Sequence, residues 1–200
     1  MLRRQLFTGL KITVALLILT AVIYPAAVWA VGQVAFRHQA DGSFVKSNGK
    51  VVGSSLIGQS FSDKDGNPIP KYFEPRPSAA GNGYDATASG GSNLGPSNPK
   101  LWDQVKARVV AYRQLNGLAD NASVPVDAVT ASGSGLDPDI SIANAMLQAP
   151  RVAKVRGLPV ATVEALVHSH IDGRPWGVLG EKTVNVLDLN LALDKLSPPG

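Results

Sequence analysis

The longest apolar stretch of the chain runs from Ile12 to Val31 and reads ITVALLILTAVIYPAAVWAV. A helix needs roughly 20 mostly apolar residues to cross the hydrocarbon core of a bilayer, and this stretch has that length. Gly32 to Phe36 then lead to the first charge, Arg37. The pattern therefore predicts one transmembrane helix near the N-terminus.

The charges around this helix predict its orientation. Arg3, Arg4 and Lys11 all precede the apolar stretch, and basic residues favour the cytoplasmic side of a membrane. We therefore expect a single-pass membrane protein with its N-terminus in the cytoplasm and most of its chain on the far side of the membrane. The predicted parts are a cytoplasmic N-terminus, a membrane helix with its outer flank and an extracytoplasmic domain, over residues 1–11, 12–36 and 37–200.

A cleavable signal peptide is the alternative to an anchor, because Val28-Trp29-Ala30 loosely resembles a small-x-small cleavage site. The apolar region of a signal peptide is usually only about 7–15 residues long. The longer stretch in this chain favours an uncleaved anchor.

Two patterns follow the anchor. Residues 37–100 are rich in Gly, Pro, Ser, Asn and Asp, which predicts a strand or two joined by long ordered loops. The first clear helix opens at Asn98-Pro99 and ends before Gly117, because proline suits the first helical position and glycine the C-terminal cap. Its apolar residues recur every three or four positions and form one stripe: Leu101, Val105, Val109 and Tyr112.

The C-terminal half mixes strand and helix patterns. VPVDAVTAS at 124–132 predicts a strand, and a helix is expected from about Ser141, broken or restarted by Pro150. Thr162 to His168 predicts a third helix. VNVLDLNLALD at 184–194 alternates apolar and polar residues, which is typical of a half-buried strand whose end could turn helical. The fold class is therefore α+β, a single mixed domain after the membrane helix.

Composition narrows the function classes. The chain has 200 residues and no cysteine, so neither a disulfide framework nor thiolate chemistry is available. Its net charge is +4, but three of its 19 bases precede the anchor, which leaves 16 bases against 15 acids. The basic balance therefore does not indicate nucleic acid as a partner.

A glycine-rich stretch, SGGSNLGPSNP at 89–99, approaches the phosphate-binding pattern G-x-x-x-x-G-K-[ST] counted from Gly90. Pro96 stands where that pattern needs lysine, and no hydrophobic strand precedes it. A structural loop that opens the next helix is the better interpretation.

Two other kinds of site have weaker patterns. Ser134, His168 or His170, and Asp137 supply the residue types of a nucleophilic hydrolase, but G-x-S-x-G does not occur. Asp137, Asp139 and Asp172 could be considered a cation site, yet the order of residues around 137 favours a turn that caps the next helix. We therefore expect no catalytic residues and no metal site.

Arg76 lies between two prolines in FEPRPSA at 73–79. A guanidinium fixed in this way suits a bidentate bond, either within its own loop or to a partner. The sequence leaves these two roles equally open.

Taken in order, six motifs after the anchor resemble the KdpC family, the C subunits of bacterial high-affinity potassium-transporting ATPases. They are GSSLIGQSF (53–61), FEPRPSA (73–79), SGGSNLGPSNP (89–99), SGSGLDPDIS (132–141), PRVAKVRGL (150–158) and VLGEKTVNVLDLNLALD (178–194). The resemblance covers nearly the whole chain.

This resemblance implies a non-catalytic accessory subunit. Its partners would be a channel-like potassium-translocating subunit, a P-type ATP-hydrolysing subunit and a small single-span subunit. The chain would have no cofactor of its own, and ATP would be associated with the complex through the ATP-hydrolysing partner. The family's usual role is that of a catalytic chaperone that raises the ATP affinity of that partner.

The expected orientation conflicts with a direct contact to ATP, because it places the domain across the membrane from a cytosolic nucleotide. An effect on ATP affinity would then be a coupling transmitted through the membrane region. The domain could instead cap the outer potassium entrance. A membrane-anchored envelope hydrolase and a free-standing binding protein are the alternatives from other classes.

The candidates for partner contact or loop scaffolding are rigid, polar turns that can present backbone to a partner. They are Arg76, Ser89, Gly90, Gly91, Asn93, Gly95, Asn98, Ser132, Gly133, Gly135 and Asp137.

Overall fold

The computed structural model describes residues 1–196. The chain forms two compact units, Met1–Phe44 and a second that begins at Val45. The second unit combines helices with short strands, which confirms the α+β class.

The first unit is dominated by one long helix. It comprises α1 (Leu2–Ile18), a π-helical turn (Leu19–Ile23) and α2 (Tyr24–Ala35), followed by the short α3 (Arg37–Ala40). Over Leu2–Ala35 the helix is long and apolar enough to cross a membrane, with a mean hydropathy of 2.3. The helix is therefore longer at both ends than the apolar stretch that predicted it.

The π-helical turn explains how the helix accommodates Pro25. Proline lacks the amide that would continue the hydrogen-bond ladder, and here it lies in the first turn of α2, directly after the wide turn. π-turns often relieve such an interruption within one helix. The backbone therefore adjusts to Pro25 locally.

The second unit begins with a hairpin and a long series of loops. β1 (Phe44–Ser47) pairs with β2 (Lys50–Ser54). No further strand longer than an isolated bridge occurs before residue 99. This agrees with the prediction of one or two strands and ordered loops.

Helix α4 (Pro99–Asn116) confirms the capping signals of the sequence. Asn98 accepts a hydrogen bond from the Lys100 amide through its side chain, and Gly117 adopts the left-handed conformation with φ of 63°. The predicted strand at 124–132 is wrong, because its centre forms a single helical turn, α5 (Val126–Val129). Asp127 in that turn accepts hydrogen bonds from the Ser141 amide and hydroxyl, both at 2.8 Å, and these bonds hold the helical conformation.

The remaining elements form the centre of the fold. They are β3 (Asp139–Ser141), α6 (Ile142–Arg156), α7 (Val160–Ser169), β4 (Ile171–Asp172), a 3₁₀ turn (Pro175–Gly177), β5 (Thr183–Asn185) and α8 (Val186–Leu196). The three strands form an antiparallel sheet in the order β3-β5-β4. The core lies between this sheet and α6, α7 and α8, and its fully buried members include Phe73, Ile140, Val152, Val163, Val184, Leu189 and Leu193.

Two predictions in this half need correction. Pro150 does not break its helix, because α6 continues through it to Arg156. Two residues close to Pro150 in this helix, Gln148 and Arg151, are buried and bonded to other segments. The strand predicted at 184–194 is confined to β5, and α8 takes the rest.

Candidate interaction site

Four segments that are far apart in sequence meet on one side of the second unit. Gly58 donates its amide to the Leu136 carbonyl at 2.9 Å, and Gly90 donates to the Ser134 carbonyl at 2.8 Å. The Ser78 hydroxyl donates to the Gly135 carbonyl at 2.6 Å. We call Gly58 together with residues 76–78, 89–91 and 133–137 the loop cluster.

An ion pair ties the centre of the loop cluster. Arg76 Nη1 lies 2.7 Å from Asp137 Oδ2, and both side chains are about three-quarters buried. The Tyr84 hydroxyl donates to the Arg76 carbonyl at 2.6 Å, and burial raises the pKa of Tyr84. Arg76 thus bonds through one nitrogen to another loop of the same unit, and not in a bidentate manner within its own loop; its role toward a partner stays a prediction.

Close backbone approach explains the glycines in this cluster. At Gly135, where φ is +68°, a Cβ atom would lie 2.7 Å from both the Ala80 nitrogen and the Gly90 oxygen. At Gly91 a Cβ would lie 3.0 Å from the Gly133 oxygen. A larger residue at Gly135 would therefore separate the loops, whereas Gly133 has open space around its own Cβ position.

The other candidates from the sequence occupy different positions. Ser132 is buried, and the Ser89 hydroxyl donates to the Ser134 carbonyl at 3.0 Å. Asn93, with φ of +53°, and Gly95 lie in the turn before α4, whereas Asn98 caps that helix. The stretch at 89–99 thus joins the loop cluster at its start and opens α4 at its end.

A polar cleft of about 480 Å³ lies beside the cluster. Its lining includes Asp63, Lys64, Glu74, Arg76 and Tyr84. Two buried atoms in this lining, Glu74 Oε1 and Arg76 Nε, have no hydrogen-bond partner among the described residues. Burial raises the pKa of the Glu74 carboxyl to about 7, against the opposing effects of the Arg151 charge and the Ile69 amide.

The segment that carries Glu74 and Arg76 is held by side chains, although it pairs with no strand. Phe73 donates its amide to Asn190 Oδ1 at 2.8 Å and accepts from Asn190 Nδ2 at 2.9 Å. The Glu74 amide donates to Gln148 Oε1 at 2.7 Å. Arg151 and Arg156 donate to the carbonyls of Tyr72 and Lys71 at 2.9 and 2.8 Å.

We call these four side chains, Gln148, Arg151, Arg156 and Asn190, the polar clamp. Gln148 and Asn190 are each 1% exposed and Arg151 is 7% exposed, so their hydrogen bonds form away from water. Arg156 Nη2 also lies 2.6 Å from Asp194 on α8. The clamp thereby positions residues 71–74 and, through them, the edge of the polar cleft.

Sequence reasoning missed the polar clamp. Its four members are polar residues in otherwise apolar helical patterns, and that mismatch was the available signal. Buried polar side chains must be hydrogen-bonded, so their partners had to be sought elsewhere in the chain.

Residues of the hydrolase and cation patterns make other bonds in the structure. The Ser134 hydroxyl accepts from the Leu136 amide, and His170 Nδ1 contacts the Leu166 carbonyl. Asp139 accepts from the Thr183 hydroxyl at 3.0 Å. Within residues 1–196, no group of three or more His, Cys, Asp or Glu side chains is arranged to hold a metal ion.

Comparisons with known proteins identify similar chains over almost the full length. The family described as "K+-transporting ATPase, c chain" (KdpC) matches residues 6–195. A potassium-transporting ATPase KdpC subunit of Mycobacterium tuberculosis is 53% identical over 195 residues, covering 98% of this chain and 100% of that protein. The subunit of Rhodospirillum rubrum is 50% identical, with 98% and 97% coverage, and that of Koribacter versatilis is 45% identical, with the same coverage.

Proposed function

The chain belongs to the KdpC family, so it is a C subunit of a potassium-transporting ATPase, and from that premise we propose that it is a non-catalytic, membrane-anchored accessory subunit. The observation that carries the proposal is the coverage of the relatives, which includes both the long N-terminal helix and the domain that begins at Val45. Anchor and domain are thus parts of one functional chain.

The proposed partners are a channel-like potassium-translocating subunit, a P-type ATP-hydrolysing subunit and a small single-span subunit. The long helix would lie in the bacterial inner membrane with the N-terminus in the cytoplasm, because Arg3, Arg4 and Lys11 all precede the apolar stretch. The second unit would then lie outside the cytoplasm, where it can contact the outer surfaces of the partners.

In this complex the chain acts as a catalytic chaperone that raises the ATP affinity of the ATP-hydrolysing subunit indirectly. A domain outside the cytoplasm cannot touch a cytosolic nucleotide, so its influence is a coupling free energy between two sites. Such coupling requires a partner with two states, one of which the accessory chain binds more tightly. The long helix is the part of this chain that reaches the membrane region of such a partner.

The loop cluster supports a non-catalytic role. Its serine and carboxylate side chains are used in turns and in the Arg76–Asp137 ion pair. The rigid turns that result present backbone and side chains of fixed position, as a binding surface needs. ATP is associated with the complex through the ATP-hydrolysing partner.

Affinity purification tests the proposal. The full chain, tagged at its C-terminus, is extracted in mild detergent from potassium-starved cells, and the eluate is assayed for ATPase activity stimulated by micromolar potassium. We expect a P-type ATPase and a channel-like protein to co-purify with that activity. Recovery of the folded chain alone would overturn the proposal and favour the anchored hydrolase or binding protein.

Kinetic measurements on the same purified complex distinguish two ways in which the chain could assist transport. If the accessory chain acts by coupling to the nucleotide site, removal of residues 45–200 raises the apparent KM for ATP. If the domain instead caps the outer potassium entrance, the apparent KM for potassium changes and that for ATP does not.

A further inference from the structure

Several polar side chains that line the polar cleft are not bonded within the chain. The cleft lies between the segments 60–66, 74–78 and 82–84. Among the described residues, none makes a hydrogen bond or an ion pair with four side chains of its wall, those of Ser60, Ser62, Lys64 and Asn82. The cleft therefore presents donors and acceptors that the fold itself does not use.

Two charged side chains of the wall also have a buried atom without a partner. Glu74 Oε1 needs a donor when the carboxyl is ionised, and the hydrogen on Arg76 Nε needs an acceptor. Buried polar atoms in proteins are almost always hydrogen-bonded, and no described residue bonds to these two. A partner from outside the chain would have to offer a donor to Glu74 and an acceptor to Arg76.

The fold holds these two side chains in fixed positions. The Gln148 side chain bonds both backbone groups of Glu74, accepting from its amide at 2.7 Å and donating to its carbonyl at 3.1 Å. Arg76 Nη1 lies 2.7 Å from Asp137 Oδ2, and the two prolines that flank Arg76 restrict its backbone. A site of fixed shape loses little conformational entropy when a ligand binds.

We propose that the polar cleft binds a small zwitterion, such as a free α-amino acid, with the ammonium group at the two carboxyls of the wall and the carboxylate at its two basic groups. These are Asp63 and Glu74, and Lys64 and Arg76. Clefts of about 300–1,000 Å³ hold small ligands, and this one measures about 480 Å³.

The balance of charges on the wall favours a ligand that carries both signs. A purely anionic ligand would lie against both carboxyls, and a purely cationic one against both basic groups, and such like-charge contacts disfavour binding. A zwitterion instead pairs each of its charges with an opposite one. Hydrogen bonds between charged groups are also stronger than those between neutral groups.

Binding at Glu74 is expected to depend on pH. Burial raises the pKa of this carboxyl to about 7, so a proton competes with the ammonium group of the ligand. The other charged or titratable groups around it are Arg151 of α6, Arg76 and Tyr84 of the adjacent segments, and Asp63 and Lys64 on the wall. Hydrogen bonds from Asn67 lower the pKa of Asp63, and burial raises that of Tyr84, so neither changes its charge near neutral pH.

Isothermal titration calorimetry of the full chain in detergent micelles tests the inference with L-serine. We expect L-serine to bind at least about tenfold more tightly than ethanolamine, which lacks the carboxylate, or 3-hydroxypropanoate, which lacks the ammonium group. Below pH 7 the affinity for L-serine should fall about tenfold per pH unit. Binding near pH 7 should release protons, which titrations in two buffers of different ionisation enthalpy detect.

Two variants assign the binding to the cleft. Glu74→Gln should weaken binding of L-serine about tenfold and remove its pH dependence, because glutamine does not ionise. Lys64→Gln should weaken it about threefold, since Lys64 is exposed, and keep the pH dependence. Asp65→Asn is the matched control, because Asp65 is an exposed acid of the same segment that does not line the cleft. Circular dichroism checks that each variant is folded.

Three results would overturn the inference. They are no binding at about 10 mM L-serine, equal affinities for L-serine and its two single-charge analogues, and an affinity for L-serine that Glu74→Gln leaves unchanged. Glucose is titrated as a neutral probe, and its binding in place of L-serine would assign the cleft to polyols and reject a zwitterion. The titrations need no other chain of the ATPase, so their outcome is separate from that of the proposed function.

Discussion

Arg76 and Asp137 form an ion pair between loops that are 61 residues apart in the chain. Both side chains are largely shielded from water, so removal of either leaves a partly buried charge without its partner. We expect Arg76→Ala and Asp137→Ala each to lower the free energy of unfolding by about 1 kcal/mol, and the double variant to lower it by less than the sum. Urea unfolding in detergent micelles measures this free energy for the wild type, the two single variants and the double variant.

Strict additivity of the two substitutions would contradict a stabilising pair. Arg76 would then be free to contribute to partner binding, and recovery of the complex by Arg76→Ala would become the informative measurement.

Glu74 is a carboxyl whose burial raises its pKa to about 7 from an ordinary value of 4.5. The unfolded chain loses this proton first, so the free energy of unfolding falls as the pH rises from about 4.5 to about 7, and then levels. Over this range the ionisation of Glu74 lowers the free energy of unfolding by about 3 kcal/mol. In Glu74→Gln, which cannot ionise, this fall should be absent; urea unfolding at several pH values checks it.

The comparison of wild type with Glu74→Gln isolates the effect of Glu74, because all other titratable side chains are the same in both chains. Burial also raises the pKa of Asp139, and its effect on the pH dependence cancels when the variant is subtracted from wild type. Parallel curves for the two chains would show that folding does not raise the pKa of Glu74.

Sequence patterns can identify a residue such as Arg76 as a candidate, but they do not identify its bonding partner. Arg76 was conspicuous because two prolines flank it, but nothing local to FEPRPSA identifies Asp137 as its partner. Glu74 was not selected at all, since its raised pKa depends on burial by segments distant in the chain.

At the scale of elements, the glycines of the loop cluster set how closely its segments approach. Gly135→Ala would place a Cβ against Ala80 and Gly90 at a backbone φ of +68°. We expect a loss of about 1–3 kcal/mol in the free energy of unfolding. Gly133→Ala in the same loop meets no atom within 4 Å, so it should be nearly neutral.

Hydrogen exchange gives a local readout for this pair. The Gly90 amide, bonded to the Ser134 carbonyl, should exchange faster in Gly135→Ala than in Gly133→Ala. Equal protection in the two variants would mean that the loops tolerate the added methyl group by moving together.

Elements with local capping signals could be predicted, and those decided by distant contacts could not. Asn98, Pro99 and Gly117 bound α4 as expected. For α8, alternating leucines favoured a strand, but the buried positions Val186, Leu189, Asn190 and Leu193 follow helical spacing. The missed signal was Asn185, whose side chain accepts from the Asp188 amide at 3.1 Å as a helix cap does.

For the whole molecule, the orientation of the chain is directly testable because the sequence contains no cysteine. Lys64→Cys places a thiol at an exposed position of the second unit, and Gln5→Cys places one near the N-terminus. We expect a membrane-impermeant maleimide to label residue 64 in intact spheroplasts and residue 5 only after lysis. The reverse pattern would contradict the proposed topology.

The overall class, the long apolar N-terminal helix and the family could be inferred from sequence because they depend on composition and on motifs that are contiguous in the chain. The arrangement of the second unit could not, because it depends on polar pairs such as Tyr72 with Asp194, separated by 122 residues. Hydrophobic periodicity contains no information about such pairs.

The polar clamp also constrains how the protein is made. Ribosomes synthesise a chain from its N-terminus, so residues 71–74 emerge long before Gln148, Arg151, Arg156 and Asn190. The hydrogen bonds of Phe73 cannot form until Asn190, 117 residues later in the chain, has been synthesised. Contacts of such long range slow folding. The domain therefore acquires its native structure only when nearly all of it has been delivered, and during synthesis its first half is an unfinished chain exposed to proteases and chaperones.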